Sequence, residues 1–124
     1  METAGTKGYR NLIVWQKADE LAFQIYLITN KYPKQEMFSL TSQTRRCALS
    51  VPANIVEGYA RSTEKDKTHF CIMSRGSLTE LEYYLDFVLR LNYITKDEYQ
   101  LLTNLREEVG RLLNGYIKSL KKNS

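Results

Sequence analysis

Histidine occurs once, at position 69, so any nucleophilic scheme of the Ser-His-Asp or Cys-His kind would have to be built around a single ring. No nucleophile is arranged beside it, and it falls at the start of a helical segment, where solvent or a partner is the ordinary neighbour. Asp66 and His69 reproduce half of the carboxylate-x-x-His pattern of di-iron bundles. That chemistry needs a second such motif and two further inward carboxylates. The second motif is absent, as are a glycine-rich phosphate loop, a Walker sequence and Cys/His zinc spacing. No metal and no cofactor is implied. Glu107 with Arg111 and Asp86 with Arg90 are acid-first pairs four residues apart, the pattern of solvated helix faces.

The run from Asn54 to Arg61 is different. Asn54, Glu57 and Arg61 fall at spacings of three and four, so they share one helix face, and Glu57 can pair with Arg61. Asn54 and Gly58 are poor helix formers, which suggests a packed or hydrogen-bonded site there. A second cluster, Arg75, Gly76, Ser77, Glu80, Leu81 and Glu82, offers a matching set. Three uses are open. The two sets can form an ionic interface between subunits that fixes register, which is the favoured reading, or an internal structural network, or a ligand or catalytic site. Under the last, replacing Glu57 by Ala abolishes a turnover and leaves any assembly intact. The nine tyrosines and one tryptophan suit a partly wet interface or simple core filling equally well.

Four segments of helical periodicity must position these groups. The first spans about 12 to 32, with Val14, Ala18, Leu21, Ile25, Ile28 and Tyr32 alternating spacings of four and three, and it should end at Tyr32-Pro33. The second starts at an N-cap, Ser39, and runs to Arg61 through Cys47, Val51 and Ile55. Pro52 lies in its middle, where it should kink the helix; a split is disfavoured because the pattern keeps its phase. The third begins after Thr63 and Asp66, at capping-box spacing, and reaches Leu91, its inner face marked by Phe70, Ser74, Ser77, Leu81, Leu85 and Val88. The fourth opens on a second box, Thr95 and Glu98, and carries Leu102, Leu105, Val109, Leu112, Tyr116 and Leu120 on one face.

Connections of about two to seven residues make each helix return beside the last. The fold class is therefore all-α, an antiparallel up-and-down four-helix bundle with a proline-kinked second helix. Residues 1–10 form a flexible N-terminal segment, 11–121 the bundle and 122–124 a frayed basic tail. Helix arithmetic places Ala48 level with Gly76, and the pair Gly76-Ser77 is where helices two and three should come closest. It also sets Cys47 and Cys71 roughly 9 Å apart in height, too far for a disulfide.

The chain has 124 residues, enough for one domain with its own core. No apolar run approaches the length of a membrane span, and no secretory signal opens the sequence, so the cytoplasm is the expected compartment. The net charge is +4, and Lys118, Lys121 and Lys122 supply three of those four charges. A polyanion-binding face would need local clustering or repetition in an assembly.

Several stretches together make the chain recognisable. They are Leu12 to Ala18, Gln43 to Arg61 with the pair Arg45-Arg46 and the run Ser50-Val51-Pro52-Ala53-Asn54-Ile55-Val56-Glu57-Gly58, and Gly76-Ser77-x-x-Glu80-Leu81-Glu82. Over residues 9–119 the sequence resembles the four-helix bundle family associated with 23S ribosomal RNA intervening sequences, to which the accessory protein of diversity-generating retroelements is related. The resemblance implies a closed bundle assembled as a ring-like homopentamer, with no established catalytic activity. It also implies nucleic-acid contacts on exposed basic residues, here Arg45 or Arg46 and Lys118, Lys121 and Lys122. The expected function is a non-enzymatic homo-oligomeric scaffold or binding component for structured RNA or an RNA-handling enzyme. The alternative is a structural protein-interaction adaptor with no nucleic-acid partner.

Overall fold

Thr63 and Thr95 each start a helix by the bond their positions predict. In the computed structural model, which describes residues 8–122, the Thr63 hydroxyl accepts the Asp66 amide at 3.1 Å. At Thr95 the box closes from both sides: the Glu98 carboxylate accepts the Thr95 amide at 2.8 Å, and the Thr95 hydroxyl accepts the Glu98 amide at 3.1 Å. The four helices are α1 (Ile13–Thr29), α2 (Ser42–Tyr59), α3 (Glu64–Arg90) and α4 (Lys96–Lys122). The expected flexible start and frayed tail lie partly on residues 1–7 and 123–124, outside the described residues. Of the remainder, Gly8–Asn11 forms a 3-10 turn in which Tyr9 packs edge-on against Trp15, with ring centres 5.0 Å apart.

The protein is an all-α four-helix bundle. α1 packs on α2 and α4, and α3 packs on α2 and α4, which closes a ring of four around one core. Val14, Ala18, Leu21 and Ile25 meet Val51 and Ile55, then Leu78, Leu81 and Leu85, then Leu102, Val109 and Leu113, all buried in one cluster. In α3 the stripe is Cys71, Ser74, Leu78, Leu81, Leu85 and Val88. Phe70 and Ser77, expected on this face, are only half-buried, because the four-three alternation runs through Cys71 and Leu78. A smaller cluster of Tyr32, Val88 and Ile94 seals one end, where burial and then the Glu98 charge push the Tyr32 hydroxyl well above the ordinary tyrosine range.

Two boundaries differ from expectation. α1 stops at Thr29, three residues before Tyr32, and the first connection covers residues 30–41, longer than expected. It is not loose chain: a 3-10 turn at Lys34–Glu36 leads into a π-helical turn at Met37–Thr41. Ser39 lies inside that turn and is not an N-cap, because its hydroxyl donates to the Glu36 carboxylate at 2.8 Å and caps no helix. The turn after α3 was not anticipated. Asn92 takes a left-handed φ of 61°, while the Tyr93 amide reaches the Val88 carbonyl and the Asn92 amide the Leu89 carbonyl, both at 3.0 Å. This is a Schellman closure with asparagine in the place usually held by glycine.

α2 runs unbroken through Pro52, so the segment is one helix rather than two. Its register against α3 agrees with the helix arithmetic: the Cys47 thiol lies 3.1 Å from the Ser77 carbonyl, and the Ser74 hydroxyl donates to the Val51 carbonyl at 2.7 Å. The point of closest approach does not agree. Gly76 is exposed, and a Cβ there would meet nothing within 4 Å. Gly58 is the contact, because a Cβ on it would stand 3.0 Å from Phe70 Cβ and 3.2 Å from the Lys67 carbonyl. The glycine that lets two helices meet is thus the one in the Asn54–Arg61 run.

Candidate functional site

The polar run on α2 is partly spent within its own helix. Asn54 turns its amide onto the Ser50 carbonyl at 2.9 Å, and Arg61 pairs with Glu57 at 3.0 Å, both side chains well exposed. The Arg61 guanidinium also lies over the Phe70 ring, 4.6 Å from its centre. Exposed pairs at this spacing contribute only about 0.3–0.5 kcal/mol, so the ladder adds little to the subunit's own stability.

The second cluster is spent on α4 and on its own helix. Arg75 donates to Asn114 of α4 at 3.1 Å, Glu82 accepts from Arg106 of α4 at 3.3 Å, and Glu80 accepts the Tyr84 hydroxyl at 2.7 Å. No hydrogen bond or ion pair among the described residues joins this set to Asn54, Glu57 or Arg61. Asp86 accepts the Tyr99 hydroxyl at 2.6 Å rather than pairing with Arg90.

Between α2 and α3 lies a shallow groove of about 320 Å³ lined by Gln43, Arg46, Cys47, Ser50, Glu80 and Tyr84. The Tyr84 hydroxyl also reaches Gln43 at 3.2 Å, and its bond to Glu80 pushes its pKa up to about 12. Burial, assisted by the Glu80 charge, pushes the Cys47 thiol up to about 12, and burial alone pushes Cys71 to about 11. Both stay protonated near neutrality, the condition of cysteines that fill space rather than attack. Both are free thiols, as the height difference predicts. Among the described residues no group of three His, Cys, Asp or Glu side chains is placed to hold a metal ion.

The basic residues divide by role. Arg45 is committed to the end of α1: its Nε donates to Thr29 Oγ1 at 2.8 Å, its Nη2 to Asn30 Oδ1 at 2.9 Å, and its guanidinium stands 4.9 Å from the Tyr26 ring centre. A cation there closes the carbonyl end of the helix. Arg45→Ala is therefore expected to lower subunit stability by about 1–2 kcal/mol, read from the urea midpoint. Arg46, one residue on, is exposed and has no partner among the described residues, and Lys118, Lys121 and Lys122 are exposed in the last turns of α4, where Lys121 lines a groove with Glu64, Lys65 and Thr68 of α3.

Sequence reasoning missed an apolar strip on the outside of α1 and α2. Phe23 (59% exposed), Tyr26 (38%) and Leu49 (49%) surround a groove of about 210 Å³ with Ala22 and Asp19, and Tyr26 and Leu49 continue it to Met37. Beside Met37 the Phe38 side chain is 96% exposed. The signal was present: Phe23, Leu27 and Leu49 are large apolar residues off the four-three stripe that fills the core.

The class the geometry defines is an all-α four-helix bundle with a filled core and dispersed surface polar clusters. The chain belongs to the 23S rRNA-intervening sequence protein family, whose model matches residues 10–115. It is similar to a crystal structure of a protein of unknown function from the S23 ribosomal protein family of Bacteroides thetaiotaomicron. The two are 28% identical, the match covers 86% of this chain and 99% of that one, and the TM-score is 0.76. No functionally curated protein matches the chain. No helix among the described residues is long and apolar enough to cross a membrane.

Proposed function

We propose that the protein is a non-enzymatic, homo-oligomeric bundle, probed first as a pentamer, that serves as a binding or scaffolding component for structured RNA or an RNA-handling enzyme. The observation that carries the reading is the apolar strip of Phe23, Tyr26, Met37, Phe38 and Leu49, which a subunit alone leaves in water. Contiguous apolar surface of this kind marks interaction sites. Glu57, Arg61, Glu80 and Glu82 present ionised groups that can set the register of neighbouring copies. Arg46 and the lysines of α4 supply the polyanion contacts. Five copies would raise the charge from +4 on one chain to about +20 on one particle, enough to steer RNA.

The mass of the full chain by light scattering, followed by binding of a structured RNA at two salt concentrations, tests both halves. The expected result is a discrete oligomer whose RNA affinity falls steeply with salt. A monomer indifferent to RNA at low salt removes the proposal. An oligomer that co-purifies without nucleic acid and ignores RNA at physiological salt instead selects the adaptor role, cytoplasmic in either case.

A further inference from the structure

Phe38 is the least explained side chain on the surface. It sits in the π-helical turn Met37–Thr41, which holds its backbone in place, yet its ring is 96% exposed. Close by, the groove of about 210 Å³ between α1 and α2 is walled by Ala22, Phe23, Tyr26 and Leu49 and is large enough for one benzene-sized ring.

Resting on the homo-oligomeric reading above, we infer that Phe38 of one copy seats in the Ala22–Phe23–Tyr26–Leu49 groove of a second copy. Three observations select a second copy as the occupant. The first is shape and chemistry: an unsheltered ring and an apolar slot are presented by the same chain. The second is area. At their exposures, Phe38, Phe23 and Tyr26 offer on the order of 400 Å² of aromatic surface, taking roughly 200 Å² per ring. That is about half of the roughly 800 Å² each partner gives to a standard interface, before Leu27, Met37 and Leu49 are added. The third is charge. Asp19 lines the groove, and Lys34 lies four residues before the knob; neither has an ion pair among the described residues. In the inferred contact Lys34 of one copy would pair with Asp19 of the next, an opposite-sign contact at the rim of the kind that fixes orientation.

The test compares the wild-type full chain with Phe38→Ser, Lys34→Glu, Asp19→Lys and the last two combined, using light scattering over a dilution series and far-ultraviolet circular dichroism. Phe38 packs on nothing in the subunit, so Phe38→Ser keeps the wild-type helical signal. Its dissociation constant for self-association should rise about tenfold or more, as for an interface anchor. Each charge reversal should weaken association by a few fold, and the double reversal should restore it. If Phe38→Ser assembles like the wild type, the groove holds something other than Phe38 and the inference is wrong, while the homo-oligomeric reading stands. A double reversal no better than the single ones overturns the Lys34–Asp19 orientation. A monomeric wild type sinks the oligomer itself.

Discussion

Gly58→Val is expected to lower subunit stability by about 2–3 kcal/mol, while Gly76→Ala raises it by about 0.5–1 kcal/mol. Both glycines lie inside helices, so propensity alone treats them alike and favours replacing either. The difference is tertiary. At Gly58 a Cβ meets Phe70 Cβ at 3.0 Å and the Lys67 carbonyl at 3.2 Å, and neither a Cβ nor a helix carbonyl can swing aside. Two further methyls force α2 and α3 apart or push side chains off their rotamers, which is the overpacking penalty. At Gly76 the added methyl meets nothing, so only the gain in helix propensity remains. Urea titration at one fixed protein concentration reads both changes. Equal effects at the two positions would show that α2 and α3 do not meet at Gly58. Gly76→Ala has a second readout: loss of oligomer mass despite a more stable subunit would place the open face of Gly76 in a contact between copies.

Leu81→Ala should have the largest effect on the subunit, about 3–4 kcal/mol. Leu81 is fully buried in α3, in one core cluster with Cys47 and Ala48 of α2, Leu78 and Leu85 of its own helix and Val109 of α4. Truncation removes the transfer free energy of three carbons and leaves a void whose walls lie on rigid helices that close it only in part. Leu101 provides the comparison. It lies on α4 but is about half exposed, so Leu101→Ala should cost less than about 1 kcal/mol. The ratio of the two values, rather than either alone, checks the placement of the core, because both substitutions remove the same atoms. The Leu81 cost also limits the assembly tests. A subunit of this size has about 5–15 kcal/mol to lose, so variants meant to probe association belong at surface positions such as Phe38 and Lys34.

Arg45 and Arg46 have different surroundings. Side by side in sequence they look like one basic patch, but a helix turns successive residues by about 100°. Arg45 faces α1 and is used up by Thr29 and Asn30, whereas Arg46 opens onto the groove beside Gln43 and Glu80. Of this pair, Arg46 is the one whose guanidinium has no partner among the described residues. The acidic neighbour Glu80 makes the groove a mixed-charge site rather than a purely cationic one.

The four helices and the family were legible in the residues themselves. Periodicities of three and four, two threonine caps and the combination of Pro52 with the Asn54–Arg61 and Gly76–Glu82 runs depend on local chemistry, which a linear sequence displays directly. The pairing register of α2 with α3 was legible too, because helical rise converts residue number into height. Which glycine lets the helices touch was not. Gly58 and Gly76 have the same local propensity, and only the direction of each Cα toward or away from the neighbouring helix separates them. The same reason hid the apolar strip: Phe23, Phe38 and Leu49 read as ordinary hydrophobic residues until the packed core shows that Leu21, Ile25 and Leu81 already fill it. Local spacing determines what each segment forms, and the finite volume between packed helices decides which of its side chains are left outside.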